Sequence, residues 1–144
     1  MMKWIDLPPV WTAAAVLVTW ALPLGGPWEP AVVAGRIALG AAAFLFAASL
    51  FEFMRARTTV IPREAPSALI TTGIFRLSRN PIYLADLLIL TGVSLIWGKF
   101  IGLILVPLLG WVLFRRFIAG EEARLREIFG EDYTAYTART RRWI

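Results

Sequence analysis

A short segment, Arg79-Asn80-Pro81, places a cation and an amide at a point where the proline favours the first turn of a helix. The first backbone N–H groups of a helix are unpaired and lie at the positive end of its dipole. A ligand carboxylate would therefore bind well here. Tyr83 follows within the first turn and can stack on a ring or donate its hydroxyl. The alternative is structural, because Asn-Pro begins many helices and arginine is common at membrane surfaces.

An adjacent acidic pair, Glu121-Glu122, opens the polar C-terminal part of the chain. Neighbouring residues on a helix point about 100° apart, so one carboxylate can face inward while the other meets water. An inward carboxylate beside Arg115 or Arg116 could bind a ligand ammonium group or pair with the arginine. The alternative is a pair of solvated acids at a helix start, which the helix dipole favours.

The composition limits the available chemistry, since the chain contains neither cysteine nor histidine. Disulfides, Cys/His zinc sites and His- or Cys-ligated haem are excluded, and we expect no metal. Catalysis must use Glu, Asp, Arg, Tyr, Asn or Ser, or chemistry that a cofactor brings. The net charge of +5 does not indicate nucleic acid as a partner. The basic residues flank apolar spans, where they set topology and meet anionic head groups.

Long apolar runs between short basic patches indicate an all-α integral membrane protein with about four transmembrane helices. The length of 144 residues suits a single membrane domain. Its residues 1–57 would carry two anchoring helices, and its residues 58–138 a polar loop, a helical hairpin and a C-terminal amphipathic helix. The predicted membrane helices are Val10–Leu24, Ala31–Met54, Ile82–Trp97 and Phe100–Phe117. We expect Pro107 to kink the fourth helix.

The polar stretch between the second and third helices sets the predicted orientation. Residues 55–81 hold five arginines and one glutamate, a net charge of +4, whereas residues 25–30 hold only Glu29. By the positive-inside rule this loop and the N-terminus with Lys3 face the cytoplasm. We expect a multi-pass protein of a bacterial or archaeal inner membrane, with its active side cytoplasmic.

Apart from Arg115 and Arg116 at the end of the fourth, three charged residues fall within the predicted membrane helices. Arg36 and Glu52 lie near opposite ends of the second helix, so both could extend to the interface. Asp86 lies one turn into the third helix. An ionisable residue there is either functional or shallow enough to reach water or a loop arginine.

Two further patterns predict how the helices pack. Ala34, Ala38 and Ala42 recur every four residues, and such a small-residue stripe lets another helix approach closely. After Glu121 the apolar residues share one helix face, which predicts an amphipathic helix that lies on the membrane or folds back over the loop. Gly130 could break or bend this helix. The tail, RTRRWI, would add an interfacial anchor.

Four blocks of the sequence together resemble the membrane methyltransferases, a family that contains isoprenylcysteine carboxyl methyltransferases and phospholipid N-methyltransferases. The blocks are T-T-V-x-P, L-I-T-T-G-I-F-R, R-N-P-I-Y-L-A and E-E-x-x-L-x-x-x-F-G-x-x-Y-x-x-Y. They cover Thr58 to Tyr136, more than half of the chain, in the order and spacing of the family.

The chain departs from the family signature, which is Arg-His-Pro-x-Tyr-x-Gly followed later by Glu-Glu. Asn80 stands for the histidine and Ala85 for the glycine. Asparagine keeps a hydrogen-bond donor and acceptor but cannot be protonated. The family also carries an arginine four residues before the first glutamate. Phe117 has that position here, and Arg116 lies one residue earlier.

The resemblance implies that S-adenosylmethionine is the cofactor, held by the loop between helices 2 and 3, the R-N-P-I-Y segment and the Glu-Glu helix. By position, the cofactor-binding residues would be Leu69, Ile70, Phe75, Asn80, Pro81, Tyr83 and Glu121. Glu121 would take the ammonium group of the cofactor. The catalytic candidates would be Arg79, Arg116 and Glu122, which would position the substrate or form a structural ion pair.

The activity implied by the resemblance is methyl transfer to a lipid or lipidated, isoprenylcysteine-like acceptor in the membrane. A sulfonium methyl group is already activated, so its transfer requires an in-line geometry and a water-poor pocket rather than a metal. Carboxyl, amine and thiol acceptors are all compatible with the sequence. The alternative function is a non-enzymatic membrane scaffold or assembly factor whose basic loop binds lipid.

Overall fold

The structure is a computed structural model that describes residues 6–23, 25–61 and 64–144. Within these ranges the regular elements are all helical, which confirms the predicted all-α class. The five α-helices are α1 (Pro8–Ala21), α2 (Glu29–Ala56), α3 (Pro81–Ile96), α4 (Gly102–Leu113) and α5 (Ala119–Arg139). A short 3-10 helix, Gly73–Arg76, precedes α3, and a π-helical turn, Phe114–Ile118, joins α4 to α5. Three residues used in the sequence predictions lie outside the described residues. Leu24 ends the predicted first helix, and Lys3 and Arg63 contribute to the predicted charge bias.

Two helical segments are long and apolar enough to cross a membrane. They are α2, with 28 residues, and the continuous run from α4 to α5, Gly102–Arg139. The helices α1 and α3 are apolar but shorter, with 14 and 16 residues. Large apolar side chains on α2 are exposed, as expected for a surface that meets lipid rather than water.

The observed helix bounds follow from local sequence. A proline lies in the first turn of α1, α2 and α3, where its missing N–H removes no helical hydrogen bond. The predicted first helix began and ended too late: α1 starts at Pro8, and it ends at Ala21 because Pro23 holds Leu22 in an extended conformation. The predicted separation of the fourth and C-terminal helices was also wrong, since the π-helical turn makes them continuous.

Helix α3 lies at the centre and packs against α1, α2 and α4. It approaches α2 closely at two glycines: a Cβ built on Gly35 would lie 2.6 Å from the carbonyl oxygen of Gly92. The predicted alanine stripe is only partly correct, because Ala42 is buried whereas Ala34 is exposed. Glycine, which has no side chain at all, permits the closer backbone contact.

The chain reverses direction at the same end of the bundle after α1 and after α3. Gly26 and Gly98 are in backbone contact, and the Lys99 ammonium group donates to the carbonyl oxygen of Trp20. The polar loop, α5 and the C-terminal tail lie at the opposite end. Arg116 forms a 3.0 Å ion pair there with Asp6, just before α1.

The polar loop is fixed to α2 by Glu52. The Thr72 hydroxyl donates to Glu52 Oε2 at 2.6 Å, and the Arg55 guanidinium donates to the same oxygen at 2.9 Å. Glu52 is therefore buried, and it does not extend outward as its position near the end of the helix would allow. Buried carboxylates require such partners.

The second half of α5 folds back over the loop, which is one of the two predicted positions. Gly130 leaves the helical conformation at φ 49°, and the chain bends there. Beyond the bend, Tyr133 and Tyr136 are buried against Ile70 and Phe75. The Tyr136 hydroxyl donates to the carbonyl oxygen of Phe75 at 2.6 Å. This contact holds the 3-10 helix in place before α3.

We predict that Gly73→Ala destabilises the protein through this loop. Gly73 has φ 55°, and an added Cβ would lie 2.7 Å from Cδ of Glu52. The expected cost is about 1–3 kcal/mol, seen as a lower thermal unfolding temperature of the detergent-solubilised protein. The control is Gly40→Ala in α2, where an added Cβ meets no atom within 4 Å. Equal unfolding temperatures for the two variants would contradict the prediction.

Candidate functional site

The R-N-P-I-Y segment and the Glu-Glu pair meet at the junction of α3 and α5. The Tyr83 hydroxyl, in the first turn of α3, donates to Glu121 Oε1 at 2.7 Å. The Tyr83 ring stacks on Phe117 of the π-helical turn with 6.4 Å between ring centroids. The two segments that the sequence singled out for chemistry are therefore in direct contact, although 38 residues separate them.

The second acid of the pair, Glu122, lies between two arginines. Arg142 donates to both carboxylate oxygens, from Nε and Nη2, at 2.8 Å each. Arg79 Nη2 lies 3.3 Å from Glu122 Oε1. The hydrogen bonds to Glu122 raise the pKa of the Arg142 guanidinium above its ordinary value. Glu121 and Glu122 thus contact different partners, as their angular separation on a helix predicts.

Main-chain carbonyl groups of the C-terminal tail accept hydrogen bonds from residues at the start of α3. The Asn80 side-chain amide donates to the carbonyl oxygen of Arg142 at 3.0 Å, and the Ser78 hydroxyl donates to the same oxygen at 3.3 Å. The Arg79 N–H donates to the carbonyl oxygen of Arg141 at 3.0 Å. Pro81 is fully buried at the first turn of α3. Asn80, which replaces the histidine of the family signature, thus positions the tail.

The three apolar residues proposed to bind the cofactor lie in a hydrophobic cluster between the polar loop and α5. Ile70 and Phe75 are buried, and Leu69 is partly buried against the same cluster. Their neighbours are Tyr133 and Tyr136 of α5. These side chains therefore pack the polar loop against α5.

Two charged residues lie away from the Glu-Glu pair. Arg116 pairs with Asp6, and its guanidinium lies 4.9 Å from the centre of the Trp11 ring. Asp86 is buried against Thr12 of α1, and its Oδ2 has no hydrogen-bond partner within the described parts of the chain. The structure therefore does not bring Arg116 to Glu122, and Asp86 faces α1.

A cavity of about 110 Å³ lies beside Glu121, between the end of α2, the polar loop and α5. Its walls are mainly apolar, with Glu121 and Arg124 as the charged groups contributed by α5. The lining residues are Phe53, Thr59, Val60, Ile61, Glu64, Pro66, Glu121, Arg124 and Leu125. The cavity is therefore lined by two carboxylates, those of Glu64 and Glu121, and by one guanidinium.

Sequence reasoning did not single out Arg142 or Arg124. Arg142 belongs to the RTRRWI tail, which we interpreted as an interfacial anchor, and Arg124 belongs to the helix that we predicted to be amphipathic. No local spacing marks either residue, because their partners depend on how the tail and α5 fold back. The only signal was the excess of arginine in the last six residues.

These observations define an all-helical protein with candidate membrane helices and a charged site at one end of its bundle. The family model described as phospholipid methyltransferase matches residues 30–132, which is most of the chain and includes every contact of Tyr83, Glu121 and Phe117 described above. The chain belongs to the phospholipid methyltransferase family. This confirms the resemblance that the four sequence blocks indicated.

A curated relative supports the same assignment. The chain is 32% identical over 74 residues to a protein-S-isoprenylcysteine O-methyltransferase of Schizosaccharomyces pombe. The matched region is 51% of this chain and 31% of the relative, so the chain spans about a third of that protein's length. No solved structure matches the chain.

We predict that Glu122→Gln lowers the unfolding temperature, because it leaves two guanidinium groups without their shared carboxylate. The expected cost is about 1–3 kcal/mol, measured by thermal unfolding in detergent. Glu127→Gln is the matched control, since Glu127 lies on the same helix and is exposed. A Glu122 variant as stable as this control would show that the ion pairs contribute nothing.

Proposed function

We propose that the protein is an S-adenosylmethionine-dependent methyltransferase that acts on a lipid or lipidated acceptor in the membrane. The observation that carries the proposal is the contact between the R-N-P-I-Y segment and the Glu-Glu pair. Tyr83 contacts Glu121, and Arg79 contacts Glu122, within the region matched by a methyltransferase family model.

The cavity beside Glu121 suits this cofactor in its chemistry. Glu121 offers a carboxylate for the ammonium group, Arg124 offers a guanidinium for the carboxylate, and the apolar walls suit an adenine ring. The volume of about 110 Å³ is below the roughly 300 Å³ of ordinary small-molecule pockets. Binding therefore requires the loop to move outward. Val60 and Ile61 on that loop are exposed, so their displacement would break few contacts.

The remaining cofactor-binding candidates have supporting positions in this proposal. Tyr83 orients Glu121 through their hydrogen bond, and the Asn80-Pro81 pair fixes the start of α3. Leu69, Ile70 and Phe75 hold the loop against α5, so that the loop can close over a ligand. When bound, the cofactor would supply an electrophilic methyl group. The protein contributes by aligning the two reactants and excluding water.

Arg79 and Glu122 are the candidates for positioning the acceptor. Both Glu122 oxygens accept hydrogen bonds from Arg142. These two bonds fix the orientation of the Glu122 carboxylate. Arg116 fits the structural alternative, because its ion pair with Asp6 ties the start of α1 to the π-helical turn. A carboxylate acceptor needs no general base, whereas an amine acceptor must lose a proton.

We place this site at the cytoplasmic face of a bacterial or archaeal inner membrane. The support is the arginine-rich polar loop, which lies at the same end of the bundle as the Glu-Glu pair. A soluble cofactor could then reach the site from the cytoplasm, while a lipid acceptor reaches it from the bilayer.

The first test is cofactor binding. Isothermal titration of the detergent-solubilised protein with S-adenosylhomocysteine should give saturable binding. Glu121→Ala should weaken binding about tenfold or more, because the ligand ammonium group loses a charge-assisted hydrogen bond. Glu127→Ala, an exposed acid on the same helix, should bind like the wild type. Absence of binding at millimolar ligand would contradict the proposal.

The second test is product formation in membranes. Mass spectrometry of lipid extracts should find a species that gains one methyl group only when the protein is present. Tyr83→Phe keeps the ring that stacks on Phe117 but loses the hydrogen bond to Glu121, so its product yield should fall. The lipid extracts could instead be the same with and without the protein. If Glu121→Ala then also supports the cells as well as the wild-type protein does, a membrane scaffold is the better account.

A further inference from the structure

The cavity beside Glu121 carries more negative than positive charge. Glu64 and Glu121 contribute two carboxylates to its lining, and Arg124 contributes one guanidinium. Within the described parts of the chain, no salt bridge joins Glu64 or Arg124 to another side chain. The protein therefore leaves these charges to be matched by a ligand, and their sum favours a ligand with a net positive charge.

The Glu64 carboxylate is held beside the cavity by its own loop. The Thr59 hydroxyl donates to Glu64 Oε2 at 2.7 Å, and it accepts a hydrogen bond from the Ile61 N–H at 3.0 Å. The Glu64 N–H donates to the carbonyl oxygen of Ile61 at 3.3 Å. Thr59, Ile61 and Glu64 all line the cavity. These bonds give the carboxylate a defined position at the cavity wall.

The two ends of this loop are joined to each other at Ser67. The Ser67 N–H donates to the Thr58 hydroxyl at 2.9 Å, and the Ser67 hydroxyl donates to the carbonyl oxygen of Arg57 at 3.2 Å. Because these bonds join the loop at its base, Glu64 stays beside the cavity when the loop moves outward to admit a ligand.

The methyl donor and its product differ in charge at one atom. S-Adenosylmethionine has a carboxylate, an ammonium group and a positively charged sulfonium. During transfer the sulfur keeps the electron pair of the broken S–CH3 bond, while the acceptor bonds the methyl carbon. S-Adenosylhomocysteine therefore has the carboxylate and the ammonium group only. Arg124 and Glu121 suit these two groups, which leaves the charge of Glu64 to match the sulfonium.

We propose that Glu64 is a specificity-determining residue, which makes the site prefer the cationic methyl donor over its neutral product. Its attraction for the ligand is lost when the methyl group is transferred, so the same residue favours product release. Glu64 is exposed, and water and salt therefore limit the preference to a few-fold. The inference rests on the proposed function, because it assumes that the cavity binds S-adenosylmethionine.

The test is isothermal titration of the detergent-solubilised protein with two ligands that cannot transfer a methyl group. Sinefungin carries an ammonium group in place of the sulfonium, so it has the net charge of the donor, whereas S-adenosylhomocysteine is neutral. The measured quantity is the ratio of their dissociation constants. Glu64→Gln should weaken sinefungin binding about three- to fivefold, the effect of an exposed ion pair, and change S-adenosylhomocysteine binding less than about twofold.

Two controls separate this local effect from a change in overall charge. Glu131→Gln removes the same charge from an exposed position that does not line the cavity, and it should keep the wild-type ratio. Raising the salt concentration from about 0.05 M to about 0.5 M should lower the preference of the wild type for sinefungin and leave that of Glu64→Gln nearly constant. Thr59→Val, which removes the hydroxyl on Glu64 but no charge, should lower the preference by less than Glu64→Gln does.

The outcomes distinguish this inference from the function on which it rests. If both ligands bind and Glu64→Gln keeps the wild-type ratio, the role of Glu64 is overturned and the proposed function stands. Equal changes in Glu64→Gln and Glu131→Gln would assign the preference to overall charge and would also overturn the role of Glu64. If neither ligand binds the wild type at millimolar concentration, the proposed function and this inference both fail.

Discussion

The carboxylate of Glu122 is the point at which three distant parts of the chain are held together. It belongs to α5, and its partners Arg79 and Arg142 belong to the loop before α3 and to the C-terminal tail. A carboxylate that is largely removed from water must have cationic or hydrogen-bonding partners. The folded positions of the loop and the tail therefore depend on one another. Through the neighbouring Glu121, the same helix also fixes Tyr83 at the start of α3.

Much of the helical architecture could be predicted from the sequence, because it depends on local properties. Apolar runs and first-turn prolines located the cores of α1, α2 and α3 to within a few residues. The contact between the R-N-P-I-Y segment and the Glu-Glu pair was expected from the family resemblance, and the divergence of Glu121 and Glu122 followed from helix geometry. The sequence indicated Gly130 as a place where the helix could break or bend, because glycine readily adopts a positive φ, and α5 bends there.

The site was less predictable where a charged residue had several possible partners. Sequence spacing suggested Arg115 or Arg116 beside the acidic pair, but Arg116 pairs with Asp6, 110 residues away. Arg142 takes the place beside Glu122 because Ser78 and Asn80 hold its backbone there. A close contact of α2 with α3 likewise falls at Gly35 and Gly92, whereas Ala34 of the alanine stripe is exposed. Each outcome depends on tertiary geometry, to which a periodic pattern or a count of charges is insensitive.

The π-helical turn at Phe114–Ile118 has a consequence for how residue spacing is interpreted in this chain. A π-helical turn contains one residue more than an α-helical turn, so it shifts the angular phase of all later residues by about 100° relative to their number. Arg115 and Arg116 lie inside this turn, so counting 100° per residue does not give the direction of their side chains relative to Glu121 and Glu122. Residue spacing alone therefore could not reveal that Arg116 pairs with Asp6 instead of the acidic pair.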